Sequence, residues 1–500
     1  MFKNTTVKKS LILLVAALMC VAVFLAACSE KPFTPVTKPT AGKIDSNGGI
    51  AVVYGEWIYY VNGYVSDVNA DNTYADVSKA PRVGSVVRIK ADKLAEILAI
   101  NDDDTLTSAK KSEKIAQAVR DSAETVVPKI YYTANTTNAE LNGLYIFGER
   151  LYILTPNEKL TANGDKQTSQ SVLMSFALDG SDMQRHFTFA NNTIQLWLNE
   201  TADKKVVATY LDGSELHVLS LGADEKSTVN TPIKNSDGET DSISSVKYDA
   251  AKECLFFLDG DGSICKLALG STEKEIIVDN SVAEGEDEST VTYAISSVNN
   301  GFVYFTMSDS NNVIDSGKLY FVNTSGTKNS DGKYVQEEAL DTKNFTVYGW
   351  NGKNVVYTGS STSSNGNYTG YGIWIVTSQD GKERTNVLLP GWSKDSITIN
   401  KIVGDTLFFT AGGVTYTKNL STFVGAGAEG NAEDLGTPYA TSWSTDASVG
   451  WAAPDVVTVG EHTYMFTFST GNVAVVEFDA VKKTNGSSAT LTLTAKADED

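Results

Sequence analysis

The sequence predicts an all-β chain, and three observations carry that expectation. First, a turn followed by a short, unbroken apolar run returns along the chain, as in "YGEWIYYV" (54–61), "FGERLYI" (147–153), "VGDTLFF" (403–409) and "VGEHTYMF" (459–466). Second, aligning on the residue at that turn places eight copies at Gly55, Gly148, Asp203, Lys252, Asn300, Gly352, Gly404 and Gly460. After a first interval of 93 residues the spacings are 55, 49, 48, 52, 52 and 56, close to the roughly 50 residues of one four-stranded propeller blade. Third, the runs do not alternate apolar with polar residues. A sheet with one wet face should alternate, whereas a blade held between two neighbours buries its middle strands on both faces. The expected architecture is one β-propeller of four-stranded antiparallel blades over residues 48–496, eight-bladed, with seven blades as the alternative.

The chain opens with Lys3, Lys8 and Lys9, then runs from Leu11 to Ala27 without a charge, the layout of an export signal over residues 1–27. At its end "LAAC" (25–28) resembles the bacterial lipobox. The resemblance implies that Cys28 is acylated and becomes the new N-terminus, holding an extracytoplasmic protein to the bacterial membrane through its lipid. An uncleaved span is the competing reading of the same apolar run. Residues 28–47 include Pro32, Pro35 and Pro39, show no apolar periodicity, and read as a tether.

In the first blade the long interval requires an insertion. Residues 107–127 carry Ile115, Val119, Ala123 and Val126 at helical spacing, with Thr107 or Ser108 placed to cap and "NDDDT" supplying negative charge near the helix N-terminus. Such a helix is a lid, a docking element or a decorated connection. In the fourth copy "SISSVKYDA", "CLFFLDG", "SICKLAL" and "KEIIV" supply the four strands, and the eighth divides into "PDVVTV", "TYMFTFS", "NVAVVEFDA" and "ATLTLTA". If Asp259-Gly260 is a two-residue turn, Cys254 and Cys265 face each other across a hairpin, as a disulfide or as two buried thiols.

The "FALDG" (176–180) and "VTSQDG" (376–381) endings of third strands, with the aromatic second strands, resemble YWTD-type and TolB-like propellers over about residues 48–496. The resemblance implies the fold and a place among surface lipoproteins, and it implies no catalytic residue.

Composition narrows the function. The formal charge is −20, and loss of the three signal lysines takes it to −23, so a phosphate backbone is repelled and no nucleic-acid partner is expected. The three histidines, His186, His217 and His462, are spread over different copies. "GAGAEG" (425–430) matches a dinucleotide fingerprint only literally, because no helix-forming segment follows it. "DGDGS" (259–263) has Gly270 where a calcium loop needs its glutamate, and six arginines with "STDASVGW" (444–451) at the wrong spacing do not make a sialidase. No cofactor, metal or catalytic residue is therefore expected. The expected role is non-catalytic binding or scaffolding of a glycan or protein, with an extracellular carbohydrate-active enzyme as the alternative. Connections from second to third strands, and from one blade to the next, leave an up-and-down blade on the same face. Long polar examples occur at 62–84, 155–170 and 359–370, and Tyr368, Trp392, Tyr439, Trp443 and Trp451 are expected on that face as stacking residues.

Overall fold

The computed structural model describes residues 35–494 except 41, 64–82, 129–142, 158–169, 192–193, 281–290, 310–317, 342–345, 352–353, 363–368, 380–382, 389–394, 404–405, 412–413, 421–446, 449–454, 470 and 480–483. The strands fall into eight antiparallel sheets, each built in chain order; seven have four strands and the first has five. This is an eight-bladed propeller. All eight turn positions read from the sequence lie between the first and second strands of their blades, including the weak third copy, where Gln195–Glu200 meets Val206–Asp212. The turn requires a left-handed residue, and Gly55, Gly148 and Gly460 supply it with φ of +61°, +57° and +61°.

Aromatic second strands fill the wedges between blades. Trp57–Val61 and Cys254–Leu258 are buried almost throughout, and alternate residues serve opposite neighbours. Ile58 and Tyr60 face the eighth blade, while Tyr59 and Val61 face the second. Between the fifth and sixth blades, Gly349 lets Tyr304 approach; a Cβ there would sit 1.9 Å from the Tyr304 ring.

Ring closure uses no exchanged strand, since the first and eighth blades are each built from their own segment of chain. Side-chain hydrogen bonds and a shared apolar cluster join them. The Asp455 carboxylate accepts from the Ile50 and Ala51 amides. Tyr60 Oη donates to the Leu491 carbonyl at 3.1 Å. The insertion supplies two helices, α1 (Ala91–Asn101) and α2 (Ser108–Ser122), whose Leu94, Ile97, Leu98, Ile115 and Val119 share one apolar cluster with Val473, Val475 and Leu491 of the eighth blade. Thr107 caps α2, accepting from the Lys110 amide. The helical insertion read over 107–127 therefore ends at Ser122, and Glu124–Val127 is the fourth strand of the blade. The helices brace the seam.

Residues 35–47, read as part of a tether, are docked. The Val36 amide donates to Asp179 O, Lys38 pairs with Glu149, and Ile44–Asp45 adds a fifth strand against Tyr54 and Val53 on the inner edge of the first blade. Gly42 crosses the Gly55 turn so closely that a Cβ would lie 2.2 Å from Gly55 Cα. The docking is made largely by backbone groups with distant partners, so no apolar pattern announces it.

The disulfide does not form: Cys254 and Cys265 are free. The connection at this hairpin is five residues, Asp259 to Ser263, so Cys254 faces Ala268 and Cys265 faces Phe257. The two thiols lie on opposite faces of the sheet, in different interblade clusters. Burial pushes the Cys254 thiol up to about 12 and raises Cys265 as well, the latter helped by the Asp259 carboxylate. In the eighth blade the fourth strand is Thr484–Thr490, which overlaps the "ATLTLTA" run only at Ala489 and Thr490, and Leu491 and Leu493 beyond it bond to Tyr60 and Asn62 of the first blade.

Candidate functional site: the loop face

The two faces of the ring are made differently. One, here the turn face, carries the first-to-second and third-to-fourth connections. The other, the loop face, carries the second-to-third connections and the crossings between blades. On the loop face the strand ends are fixed by buried polar side chains. Asn62 is fully buried; its Nδ2 donates to Leu493 O at 3.0 Å and its Oδ1 accepts from the Leu493 amide at 2.8 Å. This bidentate pair holds the strand that enters residues 64–82 against the eighth blade. Asn157 does the same in the second blade, with Nδ2 donating to Gln170 Oε1 at 2.7 Å and Oδ1 accepting from Arg185 Nη2 at 3.1 Å.

The fourth blade carries a charged version. Asp241, in the crossing from the third blade, and Asp259, in the five-residue turn, are almost fully buried. Lys274 Nζ lies 2.5 Å from Asp241 Oδ2 and 2.6 Å from Asp259 Oδ2. Burial opposes the ammonium charge, and the hydrogen bonds it donates to the Asp241 and Asp259 carboxylates outweigh that, so the Lys274 pKa is raised. Asp259 Oδ1 accepts from the Asp261 and Ser263 amides, Asp241 Oδ1 accepts from the Gly260 amide, and the Cys265 thiol donates to Asp259 Oδ2 at 3.2 Å. Every acceptor is occupied by the protein itself. The cluster staples a turn and does not present a free acid or base.

On the turn face the buried polar groups hold other parts of the chain. Arg88 is fully buried, its guanidinium 4.0 Å from the Trp57 ring centroid. It donates to Glu124 Oε2, to Tyr59 Oη at 3.2 Å and to the Thr37 carbonyl at 2.6 Å, clamping the N-terminal segment. Ser175 and His186 form a second closed unit. His186 Nδ1–H donates to Gly222 O at 2.7 Å, which leaves Nε2 to accept the Ser175 hydroxyl at 2.7 Å, and Arg150 Nε donates to Ser175 Oγ at 3.0 Å. A serine hydroxyl on an oriented imidazole is the arrangement of an activated nucleophile. Here Ser175 is fully buried and Tyr152 stacks on the imidazole, so the unit clasps the second blade to the third. His217 and His462 stack on Tyr210 and Tyr464 beside Glu215 and Glu477. Among the described residues no group of three His, Cys, Asp or Glu is placed to hold a metal ion.

Cys28, Tyr368, Trp392, Tyr439, Trp443 and Trp451 lie outside the described residues. The strands that flank them still assign their connections. Tyr368 lies between Thr362 and Thr369, a second-to-third connection. Trp392 and Trp451 lie in crossings, between Leu388 and Ile397 and between Ser448 and Asp455. The strand ends that bound these three positions lie on the loop face. The fourth strand of the seventh blade is Ala447–Ser448, which pairs with Thr417 and Tyr416, so residues 421–446 are bounded by strand ends on the turn face. A two-residue strand leaves no pattern in the sequence, which is why it was read as part of a crossing. The long loop expected at 359–370 is also shorter, because residues 359–362 pair with 369–372.

No family model matches the chain, and no curated relative matches it in sequence. Solved structures similar to it include the WD40 domain of SCAP from fission yeast (12% identity, 55% of this chain and 71% of that one, TM-score 0.32), the C-terminal WD40 domain of Sif2 (11%, 70% and 84%, 0.32) and the N-terminal domain of Nup159 (9%, 70% and 88%, 0.31). The likeness is of fold alone, and the blade count rests on the eight sheets.

Proposed function

We propose that the protein is a bacterial lipoprotein, anchored through Cys28 on the extracytoplasmic side of the membrane, whose ring binds a glycan or protein ligand on its loop face without transforming it. The observation that carries this reading is the contrast between the faces. On the loop face, buried Asn62, Asn157, Asp241 and Asp259 fix the bases of connections, and the two that leave from Asn62 and Asn157 are long and polar. Rigid strand ends below polar loops suit a recognition surface, because the scaffold loses little order on binding. Tyr368, Trp392 and Trp451, in connections bounded by loop-face strand ends, are the stacking candidates of this reading. The anchor is supported by "LAAC" behind the charge-free run. Two measurements test the reading. Metabolic lipid labelling should mark the full chain and disappear in Cys28→Ser. Glycan arrays and envelope-protein capture with the full chain should give a ligand recovered unchanged; a ligand returned cleaved would favour the carbohydrate-active enzyme instead.

A further inference from the structure

From where the chain joins the ring, we infer that the turn face rests towards the bilayer and the loop face is held away from it, so that the ligand approaches from the aqueous or cell-wall side and is not a lipid of the anchoring membrane. This rests on the Cys28 anchor proposed above.

The chain reaches the ring on the turn face. Val36 N–H bonds to Asp179 O beyond the third strand of the second blade, Thr37 O accepts from Arg88, and Lys38 pairs with Glu149 in the turn at Gly148. From there the chain passes the Gly55 turn and enters the inner edge of the first blade as Ile44–Asp45, running towards the loop face. Asn47 and Gly48 then bond to Ile146 and Leu144 of the second blade, and Ser46 Oγ donates to Val456 O of the eighth. The joining segment is thus fixed by three blades and cannot pivot at its point of entry.

Length decides the rest. Pro35 is the seventh residue after Cys28, a reach of about 25 Å when fully extended. A second strand such as Arg150–Pro156, seven residues, spans roughly 23 Å from the turn face to the loop face. To set the loop face on the bilayer, the tether would have to run the whole height of the ring around its rim. Its full extension would be used before it met a headgroup. With the turn face down, the same seven residues reach the membrane directly.

The two ends of one strand in the third blade report the orientation. Asp203 lies in the turn before Val206–Asp212 and Ser214 in the turn after it, and both are exposed. Asp203→Cys and Ser214→Cys, in the otherwise native full chain, take a thiol-reactive fluorophore selectively because Cys254 and Cys265 are buried. Each lipidated variant is placed in phosphatidylethanolamine–phosphatidylglycerol vesicles that carry an acceptor-labelled headgroup lipid, and donor quenching is measured. With about 23 Å of height between the probes, quenching at position 203 should exceed that at 214 at least about two-fold. Equal quenching, or stronger quenching at 214, with the protein still bound to the vesicles overturns the orientation and leaves the anchor standing. Protein that does not associate with vesicles at all overturns the anchor, and the orientation with it.

Discussion

The turn face and the loop face use the same kind of buried polar group for opposite purposes. On the turn face Arg88 grips the carbonyl of Thr37, and the Ser175–His186 pair grips Gly222, so polar side chains there hold other parts of the chain in place. On the loop face Asn62, Asn157 and Asp259 hold the ends of the strands from which connections depart. The helices of the insertion leave from the turn side and spend their apolar faces on the eighth blade. Both faces fasten the ring, since Asn62 also ties the first blade to Leu493; the loop face differs in holding strand ends at the base of long polar connections. That difference is the ground on which recognition by the loop face is proposed above.

The largest effect should come from breaking the fastening. Arg88→Met keeps the stem of the side chain over Trp57 but removes the bonds to Glu124, Tyr59 Oη and Thr37 O. Removing one partner of a buried pair costs about 3–5 kcal/mol, and the lower end applies because Glu124 is partly exposed. Urea unfolding should show a loss of about 3 kcal/mol, and limited proteolysis should cut near residues 35–45 sooner than in the native chain. A variant that keeps its midpoint would remove the clamp from the account.

Lys274→Met tests the rim. It leaves Asp241 and Asp259 facing each other without a cation, so stability at neutral pH should fall by about 2–3 kcal/mol. An unchanged urea midpoint would mean that the ammonium does not hold the two carboxylates.

His186 gives the smallest and most selective effect. Burial lowers its pKa in the folded state. A lowered folded value means that the neutral ring stabilises the fold above the unfolded pKa of about 6.5, and that this contribution is lost as pH falls through the folded value. Thermal midpoints should therefore drop on acidification below about pH 6.5, and His186→Gln, which keeps hydrogen-bonding atoms but cannot titrate there, should flatten that part of the profile. An unaltered profile would place the acid sensitivity elsewhere.

Much of this architecture is written locally in the chain. The Gly55-type turns and buried aromatic second strands mark all eight blades, because a left-handed residue and a doubly buried strand both leave short-range signatures. The parts that were missed depend on distant partners. Nothing near Val36 or Asn47 announces that their partners are Asp179 and Ile146. The two-residue strand Ala447–Ser448 is too short for periodicity, so nothing in the sequence marks the fourth strand of the seventh blade. The hairpin at Cys254 was misregistered because Asp259 caps a five-residue turn with its own side chain, where Asp-Gly alone suggests a two-residue one. Helix α1 goes unread although Leu94, Ile97 and Leu98 have helical spacing, because the insertion's helix is sought only over 107–127.

The contrast between faces is tested most directly by ligand capture with paired variants of the lipid-anchored full chain. Trp392→Ala with Trp451→Ala removes two rings from connections bounded by loop-face strand ends; Tyr439→Ala with Trp443→Ala removes two from the connection bounded by turn-face strand ends. With about 0.5–1.5 kcal/mol for each stacked ring, the first pair should weaken capture of the glycan or protein ligand roughly ten-fold or more at an unchanged unfolding midpoint. The second pair should leave capture within about two-fold of the native chain, less than the loss of one such ring. Loss of capture confined to the Tyr439 and Trp443 variant, with the Trp392 and Trp451 variant binding normally, would contradict the assignment of recognition to the loop face.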